Sequence, residues 1–487
     1  MTPTVRLRPG VIPLRQPHCF EVPKYPRTRT SLAYLSAGLF MGWNAPMLPR
    51  LQQNSSHIVL TEDEASWLGS VGSLALVPTV VAAAVLVNTV GRRWLLLASA
   101  VPFLAAAIWE RFATTFGELM TAVVVASLGI GLVIPVSPVY LTDIAEDRMR
   151  GLLVTMGSLM SSVGSLLTNA VAPYVSFFTL CEVLMIFPVV FVAAFWWMPE
   201  SPYFLVAKGR TQEAERALMR LRGKDSEKDV SGEVESIQKV IQEESKDRRS
   251  AADGLRELRR SAVARKAFAV VATLTTLNIF CGSPAIGAYA TQIFLWSGSS
   301  LDSDVSTIVV NSIQTISSLS SSLLVDCTGR RPLLMLSYTG SSIFMIAEGI
   351  YFYLKEHGSD ELVESLYWLP LTALISFHLL FNIGANALIW VVANELVPDG
   401  VRSVTISFIA VWNAVLTSAT IKLFQVVSSA LGTYVCFWFF AACAATALLF
   451  TVFFIPETKG RSLEELNIEM RAQAAADRAR HDAKDRS

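Results

Sequence analysis

Charge is scarce in this 487-residue chain: Asp, Glu, Lys and Arg make up 16% of it, against 52% hydrophobic residues. No ordinary core hides that much apolar surface, so a soluble enzyme is excluded and the solvent must be lipid. The mean hydropathy of +0.46 agrees. The 40 Lys and Arg balance the 40 Asp and Glu, which leaves no excess of one sign to attract nucleic acid. Cysteine is sparse as well. The 6 cysteines show no CxxC and no His-paired spacing, so neither a disulfide framework nor a metal site is expected. A Ser-His-Asp constellation, a nucleotide-binding loop and metal-ligand spacing are also missing, so no catalysis and no cofactor are expected. Residues 1–30 contain Arg and Pro but no apolar run. No cleavable signal peptide is expected there, and targeting falls to the first membrane helix.

Long apolar stretches are abundant, and their flanking charges recur. Gly91-Arg92-Arg93 returns as Gly329-Arg330-Arg331, Arg150-Gly151 as Arg402-Ser403, and Pro199-Glu200-Ser201 as Pro456-Glu457-Thr458. A duplicated bundle is implied, of the kind that rocks about a central site in secondary transporters. On the rule that about 20 apolar residues cross the hydrocarbon core, roughly twelve spans are read. They cover 31–51, 67–88, 94–112, 118–142, 151–173, 178–198, 266–294, 304–325, 332–354, 365–394, 403–428 and 432–455. The expected fold class is an all-α membrane protein with twelve transmembrane helices in two pseudo-symmetric six-helix bundles. The expected division is a tail over 1–30, a bundle over 31–198, a linker over 199–265, a second bundle over 266–455 and a tail over 456–487.

An even number of spans puts both termini on one side. Arg6, Arg8, Arg15, Lys24, Arg27 and Arg29 crowd the first tail, and Arg92, Arg93, Arg148, Arg150, Arg330, Arg331 and Arg402 lie in turns on that side. The positive-inside rule makes it cytosolic. Opposite turns carry Glu62, Asp63, Glu64, Asp302, Asp304, Asp360, Glu361 and Glu364, and Asn54-Ser55-Ser56 there is a glycosylation sequon. In the linker, Ala214, Ala217, Leu218 and Leu221 repeat at helical spacing, as do Val234, Ile237 and Ile241, with a break over 223–232. Short amphipathic helices beneath the bundle are expected.

The two Gly-Arg-Arg turns, Pro-Glu-Ser-Pro at 199–202 and Pro-Glu-Thr-Lys-Gly-Arg at 456–461, in this order, resemble the sugar porter branch of the major facilitator superfamily. The likeness runs from about Ser31 to Leu466. Ser66-Trp67-Leu68-Gly69 and Leu141-Thr142-Asp143 are most similar to the insect facilitated trehalose transporter-like group. The resemblance implies a cytosolic gate built from Arg92, Arg93, Asp143, Arg150, Glu200, Asp326, Arg330, Arg331, Glu395, Arg402 and Glu457. Each partly exposed pair contributes about 0.2–1 kcal/mol, so several together bias a two-state equilibrium. The alternative is that the arginines only fix topology. Departures fall in the first half. Asn88 and Val123 stand where the family has an Asp and an Arg, Asp143 replaces a Glu and Glu146 a Pro. Losing both members of a charge pair is compensated removal, and an asymmetric gate held by the second half is expected.

The resemblance also places sugar contacts. Asn413 and Trp390 match the family's Asn and Trp, and Asn382 and Asn386 share a face at i and i+4. Ser158, Asn278 and Gln314 stand at further contact positions with changed side chains, Ile279 and Pro284 have lost polar groups, and Ala387 and Ile389 replace two prolines, so a weaker break in the tenth helix is expected. For the polar residues the alternative role is interhelical adhesion. The serines at 317, 318 and 320–322 are read as a helix interface. Leu39 occupies the place of the Asp of proton-coupled relatives, which favours uniport. His378, mid-way along the tenth helix, keeps a proton symporter open as an alternative. Lys422 is expected to snorkel or pair, while Glu348 and Glu182 are expected near outer ends where solvation is cheap. The expected function is facilitative transport of a neutral sugar, hexose or trehalose, by a multi-pass plasma-membrane glycoprotein with both termini cytosolic. The partners are the sugar and the lipid bilayer, with no nucleic acid; the sequence leaves the oligomeric state open. A non-transporting sugar sensor is the alternative from another class.

Overall fold

A computed structural model describes residues 27–457 except 146–149, 225, 227–228, 248–250, 299–300 and 359. Glu146, residues 1–26 and 458–487, and the side chains of Arg150 and Asp326 lie outside the described residues. The first half comprises α1 (Ser31–Met41), α2 (Asn44–Leu51), α3 (Glu62–Leu86), α4 (Arg92–Phe112), α5 (Phe116–Ile144), α6 (Arg150–Val171) and α7 (Phe177–Phe195). The linker contributes α8 (Pro202–Ala207), α9 (Thr211–Arg222), α10 (Ser231–Asp247) and α11 (Ala251–Arg260). The second half comprises α12 (Ala262–Ile279), α13 (Ser283–Ser297), α14 (Ser303–Thr328), α15 (Arg330–His357) and α16 (Asp360–Ser365). It ends with α17 (Leu369–Ile383), α18 (Ala385–Leu396), α19 (Asp399–Leu431) and α20 (Thr433–Phe454).

Among the described residues, 9 helical stretches are long and apolar enough to cross a membrane, with α12–α13 and α17–α18 each counted as one. The remaining three expected spans are also helical: α1–α2 is broken at Gly42, while α6 and α14 carry many Ser, Thr and Asn and pack on each other between the halves. Val101, Ile186, Ile343 and Leu449 are exposed on α4, α7, α15 and α20, surface that lipid must cover. Helix starts are fixed locally. Thr61 with Glu64 and Thr115 with Glu118 form capping boxes at α3 and α5.

Three spans are interrupted, at Gly42, at Gly282 and at Gly384. Gly282 takes φ 93°, a conformation that favours glycine. The tenth span still breaks at Gly384 although two prolines are missing. The reason is Gly384 itself, beside which the Ala385 N–H donates to Ser337 Oγ at 3.1 Å, so a neighbouring helix satisfies part of the freed backbone. In the linker, Phe204, Leu205, Ala214, Leu218, Val230, Val234 and Ile237 form a small core of their own. Arg222 ties it to the bundle, bonding Glu233 and, through the other Nη, donating to Ile144 O at 3.0 Å. Gly223, at φ 64°, ends α9.

Candidate functional site

The recurring motifs build the same object twice. Gly91 turns at φ 109° and Gly329 at φ 91°, each releasing the first amides of a helix. A carboxylate from the end of the same half meets them. Glu200 Oε1 accepts from Arg92 N and Arg93 N at 3.0 Å each. Glu457 accepts from Arg330 N at 3.0 Å and Arg331 N at 3.1 Å. A negative group at a helix N-terminus satisfies orphan donors and opposes the helix dipole. This explains why Gly-Arg-Arg and Pro-Glu travel together, a backbone role that reading the motif as side-chain pairs had missed.

The guanidinium groups reach elsewhere. Arg92 Nε lies 3.2 Å from Asp143 Oδ2, close enough to pair although not aligned as a hydrogen bond. Ser201 Oγ donates to that same Asp143 oxygen at 2.5 Å. Arg330 lies 3.2 Å from Glu395. Arg93 and Arg331 donate to Trp196 O and Val452 O, and Arg402 to Val397 O. Every one of these contacts joins residues of one half. The first-half cluster is also as fully built as the second, so the described contacts do not carry the asymmetry expected from Asn88 and Val123; Asn88 is exposed.

The opposite, acidic end is bonded across the halves. Lys422 on α19 reaches Asp63 Oδ1 and Ser66 Oγ on α3, both at 2.6 Å, and lies over the Trp67 ring at 4.5 Å. Ser429 Oγ donates to Glu62 at 2.8 Å. Beneath them Gly69 of α3 is approached by Leu48, Ile421 and Tyr289, from α2, α19 and α13. Lys422 therefore pairs across the halves. In the loop before α3, His57 rests on Phe177 and Phe178, and burial there pulls its imidazole below the usual histidine range.

The expected sugar-contacting residues divide by environment. Asn413 and Gln314 are half-buried with no hydrogen-bond partner among the described residues, and Trp390, Asn386 and Ser158 are exposed. Asn386 Nδ2 donates to Asn382 Oδ1 at 2.8 Å, and Asn382 Nδ2 donates to His378 O at 2.8 Å, so the tenth span holds a polar chain of three residues. Asn278 is different: it is buried and accepts from Tyr338 OH at 3.2 Å, joining α12 to α15. Trp412, absent from the expected set, donates its indole N–H to Thr276 Oγ1 at 3.0 Å one residue from Asn413. Asn169 was missed too, and donates to Gly42 O at the break of the first span. Exposed Asn54 follows α2 in a turn.

One expectation needs correction. Glu348 is not solvated near a helix end: it is 0% exposed, with both carboxyl oxygens unpartnered among the described residues. Glu182 does pair, at 3.4 Å from Arg111. Glu348 has a counterpart that sequence reading overlooked. Glu110 on α4 follows its Gly-Arg-Arg glycine at the same distance as Glu348 on α15, and it too is buried with an unpartnered oxygen. His378 is buried against Phe377, its Nδ1 unpartnered.

Residues 32–470 match the family described as "Sugar (and other) transporter". The chain is 30% identical over 438 residues to the facilitated trehalose transporter Tret1 of Apis mellifera ligustica, covering 90% of this chain and 86% of that one. It is 29% identical over 441 residues to Tret1-1 of Drosophila simulans, with 90% and 51% covered, so it spans about half the length of that relative. The inward-open conformation of the xylose transporter XylE from E. coli superposes with a TM-score of 0.74 at 19% identity, covering 91% of this chain and 98% of the other. XylE bound to 6-bromo-6-deoxy-D-glucose gives 0.68 at 20% identity, with 91% and 99% covered. At such identity the likeness concerns the fold alone. The family match, with the twice-built glycine–carboxylate turn and the helical fold around it, places this chain in the sugar transporter family, and its fold is that of the major facilitator transporter XylE.

Proposed function

We propose that this chain carries a neutral sugar, a hexose or trehalose, down its gradient by alternating access. The observation that carries the reading is the set of polar side chains with spare capacity along the spans, Asn413 and Gln314 without partners and the Asn382–Asn386 pair near exposed Trp390, in a sugar-transporter fold. Mid-membrane amides are costly unless used, and an indole face suits the apolar face of a sugar ring. Ser158 and Asn278 complete the proposed contacts, the latter by anchoring α12 to Tyr338. Relatives described as trehalose transporters support the choice of sugar.

In this reading the arginine-rich end is cytosolic, both termini are cytosolic, Asn54 is glycosylated outside and the protein works in the plasma membrane. The bonded acidic end is then the closed outer gate of a cytosol-facing state. Arg92, Arg93, Asp143, Arg150, Glu200, Asp326, Arg330, Arg331, Glu395, Arg402 and Glu457 form the inner gate, which keeps its contacts within each half and gains further ones across the halves when the outer gate opens. Leu39, buried and apolar at the position of the Asp of proton-coupled relatives, supports uniport. A proton-coupled reading rests on His378, buried with a free Nδ1. The test is uptake of labelled trehalose and glucose by surface-expressing cells at two external pH values, with Asn413→Ala alongside. Saturable, pH-independent uptake that the substitution abolishes is expected. Uptake that collapses at higher pH and loses that dependence in His378→Gln would instead establish symport. Absence of uptake of both sugars despite surface expression would sink the proposal and favour a sensor.

A further inference from the structure

We propose that a cavity beside α4, α7 and α9 at the arginine-rich end binds the phosphate headgroup of an anionic phospholipid. The cavity holds about 670 Å³ and is lined by Arg93, Trp94, Trp196, Trp197, Arg216 and Arg220 among others. Its charges do not cancel. Arg210 is held by Glu213 at 2.7 and 2.8 Å, and Glu200, whose Oε1 accepts from the amides of Arg92 and Arg93 while Oε2 has no partner among the described residues, sets one carboxylate against the other arginines, which outnumber it. Three guanidinium groups remain. Arg93 donates one Nη to Trp196 O, but its buried Nε has no partner among the described residues. Arg216 and Arg220, exposed at i and i+4 on α9, have no ion-pair partner among the described residues. Phosphate oxygens match guanidinium forks bidentately, so an anion here removes mutual repulsion and completes hydrogen bonds.

The tryptophans choose between a lipid and a soluble anion. Trp94, Trp196 and Trp197 are 48%, 52% and 67% exposed. Indoles gather at the headgroup depth of a bilayer, with the ring on acyl chains and the N–H toward water. A phosphate among arginines with its chains along three indoles uses every feature of the cavity; a free phosphate uses only the arginines. The second half supplies no second copy. Pro332 stands after Gly329 where Trp94 stands after Gly91, and Phe453 and Phe454 precede Pro456 where Trp196 and Trp197 precede Pro199. Basic pockets between helices on the cytosolic side are suited to anionic headgroups, and the bound lipid would fasten α9 to the bundle.

The experiment uses the purified full chain in detergent, with lipid retention read by native mass spectrometry. Phosphatidic acid, phosphatidylcholine and soluble glycerol 3-phosphate are the probes. Arg216→Gln/Arg220→Gln is compared with Arg259→Gln/Arg260→Gln, which removes the same charge from α11, away from the cavity. Phosphatidic acid should be retained in preference to phosphatidylcholine. Affinity should fall about fivefold per cavity arginine removed, roughly 25-fold for the pair, with the α11 variant unchanged and glycerol 3-phosphate failing to compete. Equal retention of the two lipids, or equal losses in the two variants, would show diffuse surface attraction and overturn the site. Competition by glycerol 3-phosphate would make the ligand a soluble phosphate and overturn the lipid assignment. No sugar is involved, so the result stands apart from the transport reading.

Discussion

At the arginine-rich end the described ion pairs stay inside one half, Arg92 with Asp143 and Arg330 with Glu395, whereas at the acidic end Lys422 of one half grips Asp63 of the other. The environments differ as much as the partners. The Arg92 and Asp143 side chains are 12% and 13% exposed, while in the cross-halves pair Lys422 is 19% and Asp63 73% exposed, so the difference lies on the carboxylate side. If the halves rock as units, contacts within a half persist through the cycle and those between halves must break on every turn. Persistent contacts can be buried and tied to backbone amides. Breakable ones must be weak, and solvent exposure keeps them so.

The persistent set is broken most severely at its glycines. A Cβ on Gly91 would come within 2.5 Å of Glu200 Oε2, and one on Gly329 within 3.0 Å of Glu457 Oε2, with both residues at positive φ. Gly91→Ala and Gly329→Ala should each cost about 1–3 kcal/mol, more at Gly91. The melting temperature of purified protein reads this directly, and a full-strength drop in one half alone would mean that the two turns are not equivalent.

Removing charge while keeping shape gives the next effect. Glu200→Gln keeps the one oxygen that accepts both amides and loses only the charge that faces the helix start, about 0.3–2 kcal/mol, whereas Glu457→Gln also turns an NH2 toward one of two amides that now have an oxygen each, so its loss should be the larger. Glu110→Gln and Glu348→Gln sharpen the contrast, because these acids have unpartnered oxygens in buried positions where a charge is expensive. They should leave the melting temperature unchanged or higher. A drop as large as that of Glu200→Gln would reveal a cationic partner and place these acids among the persistent pairs.

Much of this was legible in the sequence because it is written in runs and repeats. Membrane-length apolar stretches announce the spans, and a charged turn that recurs at equivalent points announces two halves. The breaks were less visible. Gly384 stops the tenth span without a nearby proline, since the conformation depends on Ser337 from α15 arriving to bond the freed amide. The roles of Glu200 and Glu457 were also hidden, because a motif names side chains and these carboxylates bind backbone. Glu348 was misplaced because depth along a helix is not burial, which neighbouring helices decide. The cross-halves lock at Lys422 needed the third dimension altogether: Asp63 lies 359 residues away in sequence.

That lock gives the smallest and most discriminating effect. Lys422 meets the carboxylate and carbonyl of Asp63, Ser66 and the Trp67 ring, so Asp63→Asn removes only the opposing charge while Lys422→Gln removes the cation from every contact. Exposed pairs contribute about 0.2–1 kcal/mol, an up to roughly fivefold change in the ratio of open to closed outer ends. Lys422→Gln should therefore raise amide hydrogen exchange in the first turns of α3 by up to about fivefold, with Asp63→Asn raising it less. The double variant should match Lys422→Gln alone, since the lysine is common to every contact. Equal effects of the two single changes would reduce the lock to the ion pair. No effect of either would move closure to the apolar seal of Leu48, Tyr289 and Ile421 around Gly69, and exposed charge would then not be what the cycle breaks.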